Sequence, residues 1–431
     1  MKNLRQVLRL PGKMPTPFRR EEPAIARAYY SVLDVGTEVA KALVFVVDGG
    51  RCEILGVGKQ RQGRLDMQDG LVTDIEAVVE NCHYALQQAE DMAGVGGRDT
   101  IVGMAGELTK GVATTTTIKR AKPDERLSLA EIRMALEQAQ RQAMSEVSAQ
   151  IALETGIQDI EVRLVNSAVV SVRIDGHNVS NPLGFQGSML TVTVFNAFAP
   201  LVHVGAMRTI VESLSLDLLA IVAEPYAVAS AITNRPALDY GGVVIDVGGG
   251  TTDVALLRDG GIEGSSAFTL GGRAFTKRLA ARRSISFDAA EDLKLRYAHD
   301  EVSPQEQQSV SAALSHDVQT WIDGVHLVLE EMVGDHQLPP YVYLCGGSSA
   351  LPDLHEALRT FDWVRLLPMS RPAEITVLTP RDIDSIVDMT GVLEGPQDVT
   401  PLGLAYQVLA LERDTGLMTE ALHETVQQMG L

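Results

Sequence analysis

The sequence predicts a two-lobed α/β fold in which two similar hairpin tips face each other. Three observations predict it. Residues 29–50, YYSVLDVGTEVAKALVFVVDGG, read as an apolar strand, the tip Asp34-Val35-Gly36-Thr37, and a second apolar strand. Residues 243–257, VVIDVGGGTTDVALL, repeat that grammar around Asp246. One such unit per half of the chain suggests two related lobes. Between them, residues 101–195 carry their own mixture of strands and one amphipathic helix, which reads as an inserted α+β module.

Composition narrows the function. A formal charge of −19 over 431 residues argues against nucleic acid as a partner over most of the surface. Residues 1–20 are the exception, with Lys2, Arg5, Arg9, Lys13, Arg19 and Arg20 and no acid. Leu4, Val7 and Leu8 share a helical face there, and Pro11-Gly12 stops the pattern. So short an element folds only on a surface. Residues 1–20 are therefore read as a membrane tether, with a disordered basic tail or a protein-binding site as alternatives. No run of 18 apolar residues occurs, so no membrane span is expected. Three cysteines, far apart, fit a reducing compartment.

The two tips carry the chemistry. Residues after Gly250 alternate as a strand, which excludes a Walker loop and a dinucleotide fingerprint, since both open helices. Gly248, Gly249 and Gly250 admit positive φ and let a bulky anion approach the backbone. Thr251 and Thr252 add hydroxyl donors. An ordinary tight turn is the alternative. With Gly36 and Thr37 opposite, the tips would grip one polyphosphate from both sides. Asp34 and Asp246 would repel it unless a hard cation intervenes, so both are read as Mg²⁺ ligands through its waters. A third stretch, YVYLCGGSSALPDLHEAL at 341–358, is a buried strand, then Gly346, Gly347 and Ser348, then a helix from about Pro352. Paired glycines at a strand end would let an adenine or ribose lie against the backbone. A plain β–α loop is the alternative.

The insertion is legible in detail. Ser128 with Glu131 is a capping-box signature, and Ile132, Ala135, Leu136, Ala139 and Ala143 form one apolar helix face. Strands are expected over GVATTTTIK, EVRLVNSAVVSVRI and SMLTVTVF, with Asp175-Gly176 as a hairpin turn. The run Thr114–Thr117 is expected to be an exposed strand.

With these motifs the chain resembles the actin-like ATPase superfamily and, within it, the bacterial cell-division protein family FtsA. DVGTEVAKALV and DVGGGTTDVAL are similar to its two phosphate loops, and LCGGSSALPDL to its adenosine loop. IVGMAGELTKGVATTTTIKR and VNSAVVSVRIDGHNVSNPLGFQGSMLTVTVFNAFA resemble the FtsA insertion subdomain. LLAIVAEPYAVASAI and AEDLKLRYA resemble a connecting helix and a nucleotide-contacting helix. The resemblance implies a cleft for ATP and Mg²⁺, with Glu224 orienting the attacking water. The alternative for Glu224 is a helix-start carboxylate favourable to the dipole. Lys41 would help the phosphate region, or be solvated. Gly272 and Lys277, in LGGRAFTKRLA beside Arg273 and Arg278, would lie near the cleft. Glu291 and Lys294 would hydrogen-bond the ribose, or form a solvated ion pair. Glu38 departs from the pattern: a carboxylate stands where the family commonly has a hydroxyl, and strand alternation puts it on the face of Asp34.

The implied organisation is a basic tail (1–27), a first lobe (28–100 and 196–240) interrupted by the insertion (101–195), and a second-lobe base (241–272 and 341–397). A second-lobe helical subdomain (273–340), a closing helix (398–412) and a C-terminal tail (413–431) complete it. The implied function is a cytoplasmic scaffold at the inner face of the membrane that polymerises with itself, tethers the division protein FtsZ and turns ATP over slowly. A pilus-assembly adaptor like PilM and a metabolic kinase of the same superfold are the alternatives. The family usually ends in a basic amphipathic helix. Here Met418, Leu422, Val426 and Met429 form an apolar stripe, but Glu420 and Glu424 flank it. Anionic lipid would repel that face.

Overall fold

The computed structural model describes residues 28–157, 159–232, 240–258, 260–334, 336–413 and 421–422. The tether assigned to residues 1–20 lies outside them, as does most of the C-terminal stripe. β1 (Tyr29–Val35), β2 (Val39–Asp48) and β3 (Arg51–Arg61) form an antiparallel meander. β4 (Met67–Gln68) and β5 (Leu71–Val72) make a short hairpin beside it. α1 (Ile75–Ala93) is capped by Asp74, whose carboxylate accepts from Ala77 N at 3.1 Å. It lies directly on β3 because Gly56 and Gly58 have no side chains. A Cβ at either position would stand within 1.9 Å of an α1 carbonyl oxygen.

β6 (Asp99–Met104) runs parallel to β1. Residue 101, the expected start of the insertion, thus falls inside a first-lobe strand. The insertion comprises β7 (Lys110–Lys119), α2 (Leu129–Thr155), β8 (Val162–Ile174), β9 (His177–Asn178) and β10 (Met189–Pro200). The Ser128–Glu131 capping box forms, and all five residues of the expected apolar face are buried. Asp175 and Gly176 both take positive φ, as a tight hairpin turn requires. The threonine run differs from expectation. Thr114 and Thr116 are buried, while Thr115 and Thr117 pair with Thr193 and Thr191 on the outer face. Strand alternation, not uniform exposure, places them.

α3 (Leu201–Ser213), β11 (Asp217–Ala223) and α4 (Glu224–Ala231) return to the first lobe. The second lobe opens with β12 (Gly242–Val247), β13 (Thr252–Arg258) and β14 (Gly261–Phe268). Helices α5 (Gly272–Arg283), α6 (Phe287–Ala298) and α7 (Pro304–Val333) follow. Then come β15 (Tyr341–Cys345), α8 (Pro352–Thr360), the single turn α9 (Trp363–Leu366) and β16 (Glu374–Val377). β17 (Ile386–Asp388) and α10 (Val399–Arg413) pass back to the first lobe, where β17 pairs with β3.

Two large sheets result. The first lobe holds six strands in the order β11–β6–β1–β2–β3–β17. The other sheet has nine, β16–β15–β12–β13–β14–β7–β10–β8–β9. The insertion is covalently part of the first lobe, yet its sheet continues that of the second. Gly264 pairs with Val112 and Ser265 with Gly111 at the junction. Ala421 and Leu422 are buried against the insertion core beside Ile132 and Val192. Leu422 of the C-terminal stripe thus meets protein. No helix among the described residues is long and apolar enough to cross a membrane.

Candidate functional site

The first hairpin builds one wall. β1 and β2 pair so that Asp34 lies directly opposite Lys41, and their side chains bond at 2.8 Å. Lys41 is therefore held and mostly buried, not solvated. Burial pulls its pKa down, but the carboxylates of Asp34, Asp246 and Glu224 outweigh this and hold it above the usual lysine value. Gly36 is small because a Cβ there would strike Val39 O at 2.8 Å within the turn.

β12 and β13 bring Asp246 and Asp253 side by side. Thr400 donates to Asp246 at 2.5 Å, and Thr251 to Asp253 at 2.8 Å. Burial raises the pKa of both acids, and that of Asp253 is pushed up to about 7, with the Asp246 charge as the second cause. Glu224, at the start of α4, is buried, and its Oε1 has no hydrogen-bond partner. Burial, then repulsion from Asp34, Asp253 and Asp246, raises its pKa well above the usual carboxylate range. A helix start alone would have lowered it.

The glycines of the second tip depart from expectation in one respect, their backbone angles. None of Gly248, Gly249 and Gly250 takes positive φ. What they provide is close approach. A Cβ on Gly249 would lie 2.9 Å from the Glu38 Cβ, and one on Gly250 would lie 2.9 Å from the Thr37 hydroxyl. The two tips touch. Glu38, in the turn between β1 and β2, borders the same cleft as Asp34 and Asp246, but Arg61 and Arg273 bind its carboxylate.

A cavity of about 480 Å³ lies between the lobes. Asp34, Gly36, Thr37, Lys41, Glu224, Asp246, Gly248, Gly249 and Thr251 line it, as do Glu291, Lys294, Gly346, Gly347 and Ser348. Gly346, at φ +89°, needs to be glycine, since a Cβ would sit 2.1 Å from an Asp246 oxygen. Ser348 donates to Gly248 O at 2.9 Å, which ties the third loop to the second tip. Glu291 and Lys294 form a buried pair at 2.8 Å, not a solvated one, and Lys294 also donates to Gly272 O and Thr276. Gly272 packs tightly against Ser348 and Lys294 behind the wall.

Four expected residues do not line the cavity: Gly272, behind the wall, and three others. Gly250 is taken up by tip-to-tip contact. Thr252 is fully buried, donates to Leu270 O at 2.6 Å and accepts from the Trp321 indole at 2.9 Å, so its hydroxyl is structural. Lys277 is exposed on α5. Sequence reasoning passed over Asp253, Thr400 and the bridging role of Arg273. Only Asp253 had a local signal, as the second acid of DVGGGTTD. Among the described residues, no group of three or more His, Cys, Asp or Glu side chains converges to hold a metal ion.

Comparisons with known proteins agree with the motifs. The family described as "Cell division protein FtsA" matches residues 243–396. The cell-division protein FtsA of Neisseria meningitidis serogroup B is 30% identical over 270 residues, 62% of this chain. The match spans 61% of that protein, less than two thirds of its length. FtsA of Bacillus subtilis is 25% identical over 344 residues, covering 75% of this chain and 74% of that protein. FtsA of Enterococcus hirae is 24% identical over 420 residues, covering 93% and 89%. Among solved structures, the PilM–PilN type IV pilus biogenesis complex aligns with TM-score 0.63 at 18% identity, over 89% of this chain and 99% of that one. The chain has the actin-like ATPase fold and is similar in sequence to FtsA.

Proposed function

We propose that this chain is an FtsA-like division scaffold that binds ATP with Mg²⁺ between its lobes, assembles with itself and links FtsZ to the cytoplasmic face of the membrane. The observation that carries the nucleotide part is the convergence of two tips and the Gly346–Ser348 loop on one cavity, with Glu224 Oε1 buried there without a partner. An orphaned buried carboxyl costs stability and marks a place where a ligand or water completes the set. The donor set suits such a ligand. Asp34 and Asp246 would hold Mg²⁺ through its waters, and phosphate oxygens would supply what these carboxylates alone do not. When bound, the metal neutralises phosphate charge.

The residues then divide the work. Lys41 keeps its proton and offsets negative charge beside Asp34. Gly36 and Gly248 leave the backbone open to an anion. The Glu291–Lys294 pair and Ser348 form the wall against which ribose and base would rest. Glu224, its carboxyl held above the usual range by burial and by the neighbouring carboxylates, orients a water by hydrogen bonding. Phosphoryl transfer to water asks only for positioning and charge neutralisation, and in this reading slow turnover serves to reset assembly. The similarity to FtsA supports the division role and the FtsZ partnership, as opposed to a pilus adaptor. Calorimetry of ATP binding with and without Mg²⁺, repeated on Asp246→Ala, tests the nucleotide reading. A pull-down with the FtsZ C-terminal tail tests the partner.

A further inference from the structure

The guanidinium of Arg273 belongs to the second lobe, at the start of α5, yet its side-chain bonds all run to the first lobe. Nε donates to Glu38 Oε2 at 2.7 Å. Nη1 donates to Met67 O at 2.8 Å and Arg64 O at 3.3 Å. Nη2 donates to Thr37 O at 2.7 Å and Gly63 O at 3.3 Å. All five N–H groups are committed, the full capacity of an arginine. Arg61 holds the other Glu38 oxygen at 2.9 Å. The backbone of Arg273 is fixed too, since its N–H donates to Gly249 O at 2.8 Å. The first lobe returns the grip beside it. Arg64 lies over the Phe287 ring at 4.9 Å and pairs with Asp288 on α6 at 3.5 Å.

We propose that Glu38, flanked by Arg61 and Arg273, is an interlobe latch that keeps the two tips together without nucleotide and slows nucleotide release. The geometry gives the reason. Tip-to-tip contact at Gly249 and Glu38 leaves no gap to be bridged, and the mainly buried Arg273 cannot leave one acceptor without losing the rest. Thr400 to Asp246 and the β14–β7 pairing also join the lobes, but the tips themselves are bridged by this bond set. Here the join is built into the chain. A carboxylate near a phosphate site is tolerable because two guanidiniums neutralise it. Glu38 and Arg273 are thus positioning residues.

This inference rests on the nucleotide reading for its kinetic half only. Two measurements separate the halves. The first is amide hydrogen exchange at 36–38 and 248–251 in nucleotide-free protein. Glu38→Gln and Arg273→Gln should each speed exchange there tenfold or more, and the double variant should add little, since both changes break one bond set. Unchanged or fully additive exchange overturns the latch. The second is release of a fluorescent ADP, chased with unlabelled ATP. Both single variants should release it several-fold faster. Slower release from Glu38→Gln would overturn the latch, because it would mean that Arg273, freed of its carboxylate, grips phosphate instead. If wild-type protein binds no labelled nucleotide, the nucleotide reading fails while the exchange result still stands or falls by itself. Should Arg273→Gln fail to fold, as judged by circular dichroism, Glu38→Gln alone decides, since its side chain is part-exposed and its shape is kept.

Discussion

Replacing Asp253 by Asn removes a charge that the fold holds at a cost. The carboxyl is buried beside Asp246, and its pKa is raised from 3.8 to about 7. A raised acid favours its protonated form in the folded state. Its contribution is therefore fully favourable below about pH 4 and is lost as pH rises through about 7. Three pH units at about 1.4 kcal/mol each give about 4 kcal/mol as a ceiling on this loss. The groups facing it are Asp246, Glu224, Thr251, Lys110 and the Gly106 N–H. Asn keeps an acceptor for the Thr251 hydroxyl, and the Gly106 contact is long at 3.5 Å, so the substitution disturbs little else. Both tryptophans, Trp321 and Trp363, are buried in the second-lobe core, so their fluorescence during urea unfolding reports on the lobe that carries β13. Without nucleotide or metal, Asp253→Asn should exceed wild type by no more than about 1 kcal/mol near pH 4.5 and by about 2–4 kcal/mol at pH 8. A difference independent of pH would refute the reasoning, because the burial cost would then not involve ionisation.

Five further outcomes follow from the site and the fold. Glu224→Ala should keep ATP affinity in calorimetry and lose phosphate release, since it removes only water positioning; wild-type turnover would reduce Glu224 to a helix-start residue. Gly249→Val should abolish nucleotide binding by forcing the tips apart at Glu38, with unchanged affinity removing the cleft assignment. Leu136→Ala should destabilise the insertion by about 2–5 kcal/mol, read by local hydrogen exchange in α2, because Leu136 is fully buried in a small core. Excising 105–195, so that β6 is spared, should leave a nucleotide-binding chain that forms no filaments on lipid. Co-sedimentation with anionic vesicles should fall when residues 1–20 are removed. Loss only on removing 414–431 would move the anchor to the C-terminus.

The sequence by itself determined what local chemistry encodes. The strand–Asp–x–Gly–Thr–strand grammar of residues 29–48 was sufficient for the β1–β2 hairpin, whereas the register that sets Asp34 opposite Lys41 depends on the turn geometry. Ser128 and Glu131 cap α2 through contacts three residues apart, and Asp175-Gly176 takes the only backbone shape its turn allows. The Gly346–Ser348 loop ends a strand and opens a helix as its glycines require. Where the lobes meet, local rules no longer suffice. Gly249 is small because Glu38 of the other lobe stands against it, a partner 211 residues away that no turn statistic contains. Thr252 was read as a ligand donor, but Trp321 and Leu270 claim its hydroxyl from the core. Glu291 and Lys294 share a helix face in sequence, yet only packing against α5 decides that their pair is buried. The insertion was legible as a module, but not its attachment: the β14–β7 junction depends on an open strand edge on each side, and edge pairing carries almost no sequence signature. Propensity and spacing act within a few residues. Which surfaces then meet is decided by the free energy of burying them together, and that is a property of the whole chain.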